Sequence, residues 1–248
     1  MSQSKMTQVP TPINVDFKET RSSRQEHNDK TLYDCIMEND MKAFEKNINS
    51  ESLKTILKNL ELTQEELLKK CREDVLFCKA ILMPRLSKNA SRQGSKDEAE
   101  QIRACNATSQ KCGVSITNLS ATAFRPTKTG EIVSNKEKKE KNIKKDCCLK
   151  SFDAVISGKM TGYITAKVAY GSGGHQDNVF EEMDTIAEWW QKYKCATEEV
   201  LVILIDTDLS EKFSRIKEKY KDIKNIKVCS HVELQEYIID TYYCEESM

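Results

Sequence analysis

The stretch Ser151-Phe-Asp-Ala-Val-Ile-Ser-Gly158, with Tyr163-Ile-Thr-Ala-Lys-Val-Ala-Tyr170 after it, decides the fold class. Both runs are rich in β-branched and aromatic residues, and Gly158 and Gly162 bracket the gap between them, so they read as neighbouring strands. Side chains alternate along a strand, which puts Ile164, Ala166, Val168 and Tyr170 on one face and Thr165, Lys167 and Ala169 on the other. A five-residue loop from Gly158 to Gly162 sets Ser157 opposite Tyr163 and, counting outward, Asp153 opposite Lys167. An acid and a lysine then meet across a hairpin, for which a cross-strand salt bridge is the simplest use.

Downstream, Gly171-Ser-Gly-Gly174 leads into a long amphipathic helix ending near Tyr193. A strand over Glu199–Ile205, a helix over Leu209–Tyr220, a strand over Ile226–Ser230 and a helix over Val232–Tyr242 follow. This alternation predicts an α/β fold with a central sheet flanked by helices. Upstream lie short β-like runs at Val114–Leu119, Thr122–Arg125 and Glu131–Val133, with a Pro126–Gly130 turn between the last two. Lys136–Lys145 holds six lysines and two glutamates, and residues 135–146 are expected to be a mobile loop. Residues 29–84 have helical periodicity, with a Thr63/Glu66 capping box and a stop at Pro84. Ser95 and Glu98 suggest another box, and Gly113 a helix C-cap. Residues 1–28 have too few apolar side chains to offset ordering and read as a flexible arm, leaving 85–248 as the α/β core after an N-terminal helical region.

Composition narrows the function. Lys plus Arg equal Asp plus Glu at 39 each, yet Arg85–Lys150 carries 15 basic against 7 acidic residues, a local surplus suited to phosphate. No apolar run is long enough to span a bilayer and the first 28 residues show no signal-peptide core, so no membrane association is expected. An intracellular site follows, the cytoplasm of a bacterium or of a virus-infected host cell. The ten cysteines are too sparse for a disulfide scaffold and include no zinc-type C-x2-C pair, so reduced thiols are expected.

An aspartate and a lysine on adjacent strands, then a glycine-rich turn and a helix bearing Asp177, Glu181, Glu182 and Asp184, are parts that phosphodiester hydrolysis uses. Carboxylates can hold Mg²⁺ while a lysine orients water and offsets developing charge. Asp153, Lys167, the run Tyr170-Gly-Ser-Gly-Gly-His-Gln-Asp-Asn-Val-Phe180 and the closing strand-helix-strand-helix together resemble type II restriction endonucleases of the PD-(D/E)XK nuclease superfamily, over roughly Ser91–Tyr242. The resemblance implies a restriction-endonuclease-like mixed sheet, Asp153 as metal-binding aspartate and Lys167 as catalytic lysine. It further implies Mg²⁺-dependent cleavage of double-stranded DNA leaving a 5′-phosphate and a 3′-hydroxyl. Phe152 stands in place of the family's proline, and Thr165 in place of its second acid. Some enzymes of this kind take that acid from the following helix, a position that falls here on Glu181 with Glu182 as rival. Glu98 and Glu100 are the reserve, although capping is the simpler role for Glu98.

DNA contacts are expected from Arg85, Lys88, Arg92 and Lys96, from Arg125 and Lys128 beside the Pro126 turn, and from His175, Gln176 and Asn178 at the glycine-rich turn. A homodimer is expected, because palindromic sites mirror two-fold symmetry. Two other readings stand beside this one. Asp206-Thr-Asp208, ending an apolar strand, is a D-x-D pair of the kind that binds Mg²⁺ in phosphoryl-transfer domains, although Asp208 reads more simply as a helix N-cap. Thr165 also admits a nuclease-like fold that binds DNA without cutting it.

Overall fold

The computed structural model describes residues 9–89, 94–119, 123–170 and 174–243, without the side chains of 81, 82 and 174–177. The chain divides into two compact units, Asp16–Gln93 and Met1–Val15 with Gly94–Met248.

The first unit is helical: α1 (Phe17–Met37), α2 (Met41–Asn47), α3 (Ser50–Leu60), α4 (Gln64–Glu73), a π-helical turn (Phe77–Leu82) and α5 (Met83–Leu86). Its core gathers Leu32, Ile36, Phe44, Ile56, Leu67 and Leu86. The Thr63/Glu66 capping box forms as expected. Two expectations fail here. Helix α1 runs through residues 17–28, part of the expected flexible arm, because Asp16 caps it by accepting from the Lys18 and Glu19 N–H groups and Phe17 is buried. Residues 1–8 lie outside the described residues. Pro84 does not end the helix but sits inside α5, just after the π turn closed by Met83 N–H on the Cys78 carbonyl. The wider turn relieves the clash a proline ring makes with the carbonyl four residues back.

The second unit is α/β. After α6 (Gly94–Ser109) come β1 (Val114–Asn118), β2 (Phe124–Pro126), β3 (Ile132–Ser134), α7 (Asn135–Glu140), β4 (Ala154–Gly158) and β5 (Gly162–Ala169). Then follow α8 (Gly174–Lys194), β6 (Val200–Thr207), α9 (Ser210–Tyr220), β7 (Ile226–Cys229) and α10 (His231–Tyr242). Five strands form one mixed sheet in the order β1-β4-β5-β6-β7, antiparallel from β1 to β5 and parallel from β5 to β7, while β2 and β3 pair separately. One face packs Ile156, Ile164, Ala166, Val202 and Leu204 with Ile102 of α6 and Ile238 of α10. The other packs Leu201, Ile203 and Ile205 with Met183, Ile186 and Trp190 of α8 and Ile216 of α9. Odd and even residues of β6 therefore serve opposite layers, which is why that strand is apolar throughout.

Two local expectations in this unit are corrected. The lysine-rich segment expected as a mobile loop starts with α7, because Ser134 and Glu137 form a capping box that organises the first turn. Asp208 does not cap α9: Leu209 is the N-cap without a side-chain bond, and its N–H goes to Thr207 Oγ1 at 3.0 Å. Gly113, at φ +78°, closes the turn after α6 as expected. The nine described cysteines are all free thiols; Cys244 lies outside the described residues. Among the described residues no helix is long and apolar enough to cross a membrane.

Gly162 carries the hairpin. Its φ is +152°, and a Cβ there would lie 1.9 Å from the Val200 carbonyl oxygen, where β5 and β6 meet. Because that obstacle is backbone, Gly162→Ala is expected to destabilise the α/β unit by more than about 3 kcal/mol, read from thermal or urea unfolding. A loss under about 1 kcal/mol would show that the β5–β6 junction tolerates displacement.

Candidate active site

Gly158 decides where the acid falls. It pairs with Val114 of β1 at φ +99°, with the Gly113 carbonyl oxygen 2.4 Å from where a Cβ would sit. The end of β4 is thus held by β1, and the register with β5 is Val155↔Tyr163 and Ile156↔Gly162. Continued outward, that register brings Asp153 opposite Thr165 and not opposite Lys167. The displacement is by two residues, so Asp153 keeps the face expected for it. Asp153 N–H donates to the Ile164 carbonyl at 2.8 Å, and its Oδ2 accepts from Ala166 N–H at 2.8 Å. The carboxylate is thereby fastened to the backbone beside Lys167.

Lys167, 8 % exposed near the end of β5, donates its ammonium to the carboxylate of Glu98 in the second turn of α6. Lys150 and Glu182 pair alongside at 2.6 Å, and both their charges act on Asp153. Burial pushes the Asp153 carboxyl above its ordinary 3.8, with Lys167 pulling most strongly against that rise. Burial likewise raises Glu98 above 4.5, opposed first by Lys167. For Lys167 burial acts downward, but Asp153 and Glu98 together outweigh it and hold the ammonium above the ordinary lysine value. Three carboxylates and two ammonium groups therefore gather around the end of β5.

Thr165 contributes no acid; it is fully buried, and its hydroxyl faces Met183 Sδ at 3.6 Å. The helix acid is where the structure differs most from expectation. Glu181 is exposed and lines a cleft of ≈ 380 Å³ with Phe180, Asp184, Lys212, Arg215 and Lys219, between α8 and α9. Burial of Met183, Ile186, Ala187 and Trp190 fixes the rotation of α8 and turns Glu182, one position on, toward Lys150. Glu100 pairs with Arg103 on its own helix, leaving Glu98 as the α6 acid at the site. Glu98 spends its carboxylate on Lys167 and not on a capping box.

Compared with protein-family models, curated proteins and solved structures, the chain has no match. Asp206 is 7 % exposed and engaged by Gln101 at 2.6 Å and His231 at 2.8 Å, whereas Asp208 is exposed, so the D-x-D carboxylates occupy different surroundings. Among the described residues no group of three or more His, Cys, Asp or Glu side chains is disposed to hold a metal ion. Asp153 and Glu98 are two hard oxygen donors sharing one lysine, a set whose chemistry suits Mg²⁺ more than zinc.

The expected DNA contacts divide. Arg85 is exposed in the helical unit, and Lys88 there donates to the Lys46 carbonyl. Lys96 is exposed in the first turn of α6. Lys128 is exposed on a turn that Trp189 and Tyr193 of α8 anchor, by bonds of 2.6 and 3.1 Å to the Thr127 and Lys128 carbonyls. Arg125 enters that turn half-buried, its Nε lacking a hydrogen-bond partner among the described residues. Asn178 is exposed in α8; Arg92 and the side chains of His175 and Gln176 lie outside the described residues, as does most of the glycine-rich turn. Lys150 and Gln101 were not singled out by sequence. Gln101 carried a faint signal, three residues from Glu98 and so on the same helix face.

Proposed function

We propose that this chain is a Mg²⁺-dependent endonuclease of the PD-(D/E)XK kind that cuts double-stranded DNA site-specifically, as type II restriction enzymes do. The observation that carries the reading is the buried Lys167 paired with Glu98, with the charge of Asp153 acting on it, where a β-hairpin meets a parallel strand. The mixed sheet and the order of hairpin, helix and parallel strand agree with the resemblance drawn from the sequence.

Asp153 and Glu98 would hold the metal, with Glu182 as the nearest further carboxylate once released from Lys150. Bound there, Mg²⁺ supplies polarisation of the scissile phosphate and a lowered pKa for attacking water. The chain's own residues do the rest. Ala166 N–H keeps Asp153 in one orientation. Lys167 stays cationic at neutral pH because two carboxylates face it, so its N–H groups can orient water and offset charge building on the phosphoryl oxygens. In-line attack of water on phosphorus would break the P–O3′ bond, leaving a 5′-phosphate and, once the departing oxygen takes a proton from solvent, a 3′-hydroxyl. Lys128, on a turn braced by α8, and Arg125, in the strand before it, would meet DNA, and a two-fold dimer would present one site to each strand.

The test is plasmid DNA incubated with purified protein in Mg²⁺ and in EDTA. Discrete linear products in Mg²⁺ alone are expected. Tight specific binding with no nicking in Mg²⁺ would favour a non-cutting DNA-binding protein, the alternative that buried Thr165 keeps open.

The raised carboxyls also set a pH response. Protons compete with the metal for Asp153 and Glu98, and both titrate above their ordinary 3.8 and 4.5. At a fixed Mg²⁺ concentration, Mg²⁺ stabilisation, measured as a Tm increase, should thus weaken as pH falls and the two carboxyls take up protons. A Tm increase that does not weaken with falling pH would remove these two groups from the metal site.

A further inference from the structure

Asp206 interrupts an apolar row. On the α6/α10 face of β6 it follows Val202 and Leu204, both fully buried, where another aliphatic side chain would pack without a polar partner. The aspartate instead accepts from Gln101 Nε2 at 2.6 Å, from His231 Nδ1 at 2.8 Å and from His231 N–H at 3.4 Å. Gln101, completely buried, uses its second amide N–H on the Lys167 carbonyl at 3.1 Å. Its Oε1 has no partner among the described residues, so the amide is oriented by its two donors at the expense of its acceptor. At the far end His231 Nε2 accepts from Val15 N–H at 2.9 Å, which leaves Nδ1 to carry the proton given to Asp206. Residue 13 is tied in as well, through Gln235 at 2.7 and 2.9 Å.

We propose that Gln101 and Asp206 are positioning residues for the Asp153–Lys167–Glu98 site, the buried inner links of a relay from half-buried Val15 through His231 to the Lys167 backbone. The proposal rests on the nuclease reading of that site. Gln101 and Glu98 are three residues apart on α6, so they share a helix face. Pinning Gln101 to the Lys167 carbonyl therefore sets both the rotation and the height of α6 against β5. That alignment delivers the Glu98 carboxylate to the Lys167 ammonium. Asp206 holds the Gln101 amide in the orientation that can do this, and Val168↔Asp206 pairing places it one strand away at the same level. Val15 and His231 hold Asp206 in turn, making the segment before α1 part of the active-site scaffold.

The test uses Gln101→Met, which keeps length and burial but removes both donors, and Asp206→Asn as the second variant. Cleavage kcat in Mg²⁺ should fall about 10- to 100-fold with KM for DNA unchanged, the size typical of losing a partner that orients a ligand. Because Gln101 acts through Glu98, Gln101→Met combined with Glu98→Gln should be no slower than Glu98→Gln alone. Multiplying losses would overturn the proposal, as would a kcat loss explained by unfolding at the assay temperature. If both variants fail to fold, the relay serves stability and the proposal also falls. A crystal structure of Gln101→Met gives a readout without activity: Glu98 displaced from Lys167 is expected, and an undisturbed pair overturns the idea. A wild-type chain that never cuts DNA would sink the nuclease reading, while this structural comparison would still judge the relay. Complete loss in Asp206→Asn with Asp153→Asn active would return Asp206 to a D-x-D metal site.

Discussion

Asp153→Asn is expected to lower Mg²⁺-dependent DNA cleavage by about three orders of magnitude or more while leaving specific binding in EDTA within about two-fold. The asymmetry follows from what the side chain touches. Its Oδ2 accepts from the Ala166 N–H, which an asparagine oxygen can also do, so the hairpin keeps its register. What asparagine lacks is the charge, and with it both a hard anionic metal ligand and one of the two carboxylates that hold Lys167 cationic despite burial. Each tenfold in rate is about 1.4 kcal/mol of barrier, so about 4 kcal/mol accounts for the loss, within the several kcal/mol that metal-assisted charge stabilisation supplies. Lys167→Ala would be harder to interpret, because it leaves Asp153 and Glu98 facing each other across the buried end of β5 with Lys150 as the nearest remaining cation. Cleavage by Asp153→Asn near the wild-type rate would remove the site from the chemistry altogether.

Glu98→Gln should cost about 100-fold or more in rate, Glu182→Gln less, and Glu181→Gln under about three-fold. This ranking reverses the order read from sequence, where Glu181 led and Glu98 was a reserve. Glu98 is directly on Lys167, Glu182 acts through Lys150 and at a distance on Asp153, and Glu181 lies in the α8–α9 cleft beside Asp184 and Arg215. Rate measurements on the three variants at saturating DNA and Mg²⁺ decide among them. Should Glu181→Gln be the slow one, α8 must rotate when DNA binds, and the buried row Met183, Ile186 and Trp190 would have to repack with it.

Sequence reading and structure part company at identifiable places. The alternation of strands and helices after residue 150, the Thr63/Glu66 box and the Gly113 turn were readable because each rests on neighbours within a few residues. Helix α1 was hidden, since its first three turns carry almost no apolar side chains; one cap and one buried phenylalanine mark its start. The Ser134/Glu137 box was as local as the Thr63 one and was masked only by the lysines around it.

The acid and lysine of the site, their shared face and their place beside a parallel strand all follow from period-two alternation, which any register shift of two preserves. Which residue stands opposite Asp153 does not, because β1, arriving from some forty residues upstream, captures Gly158 and moves the turn. The partner of Lys167 comes from 69 residues away, and that of Asp206 in α6 from 105. No pattern within a strand or helix encodes such meetings. They are set by how α6 packs across the sheet, so a glutamate that reads locally as a cap becomes the carboxylate facing the buried lysine.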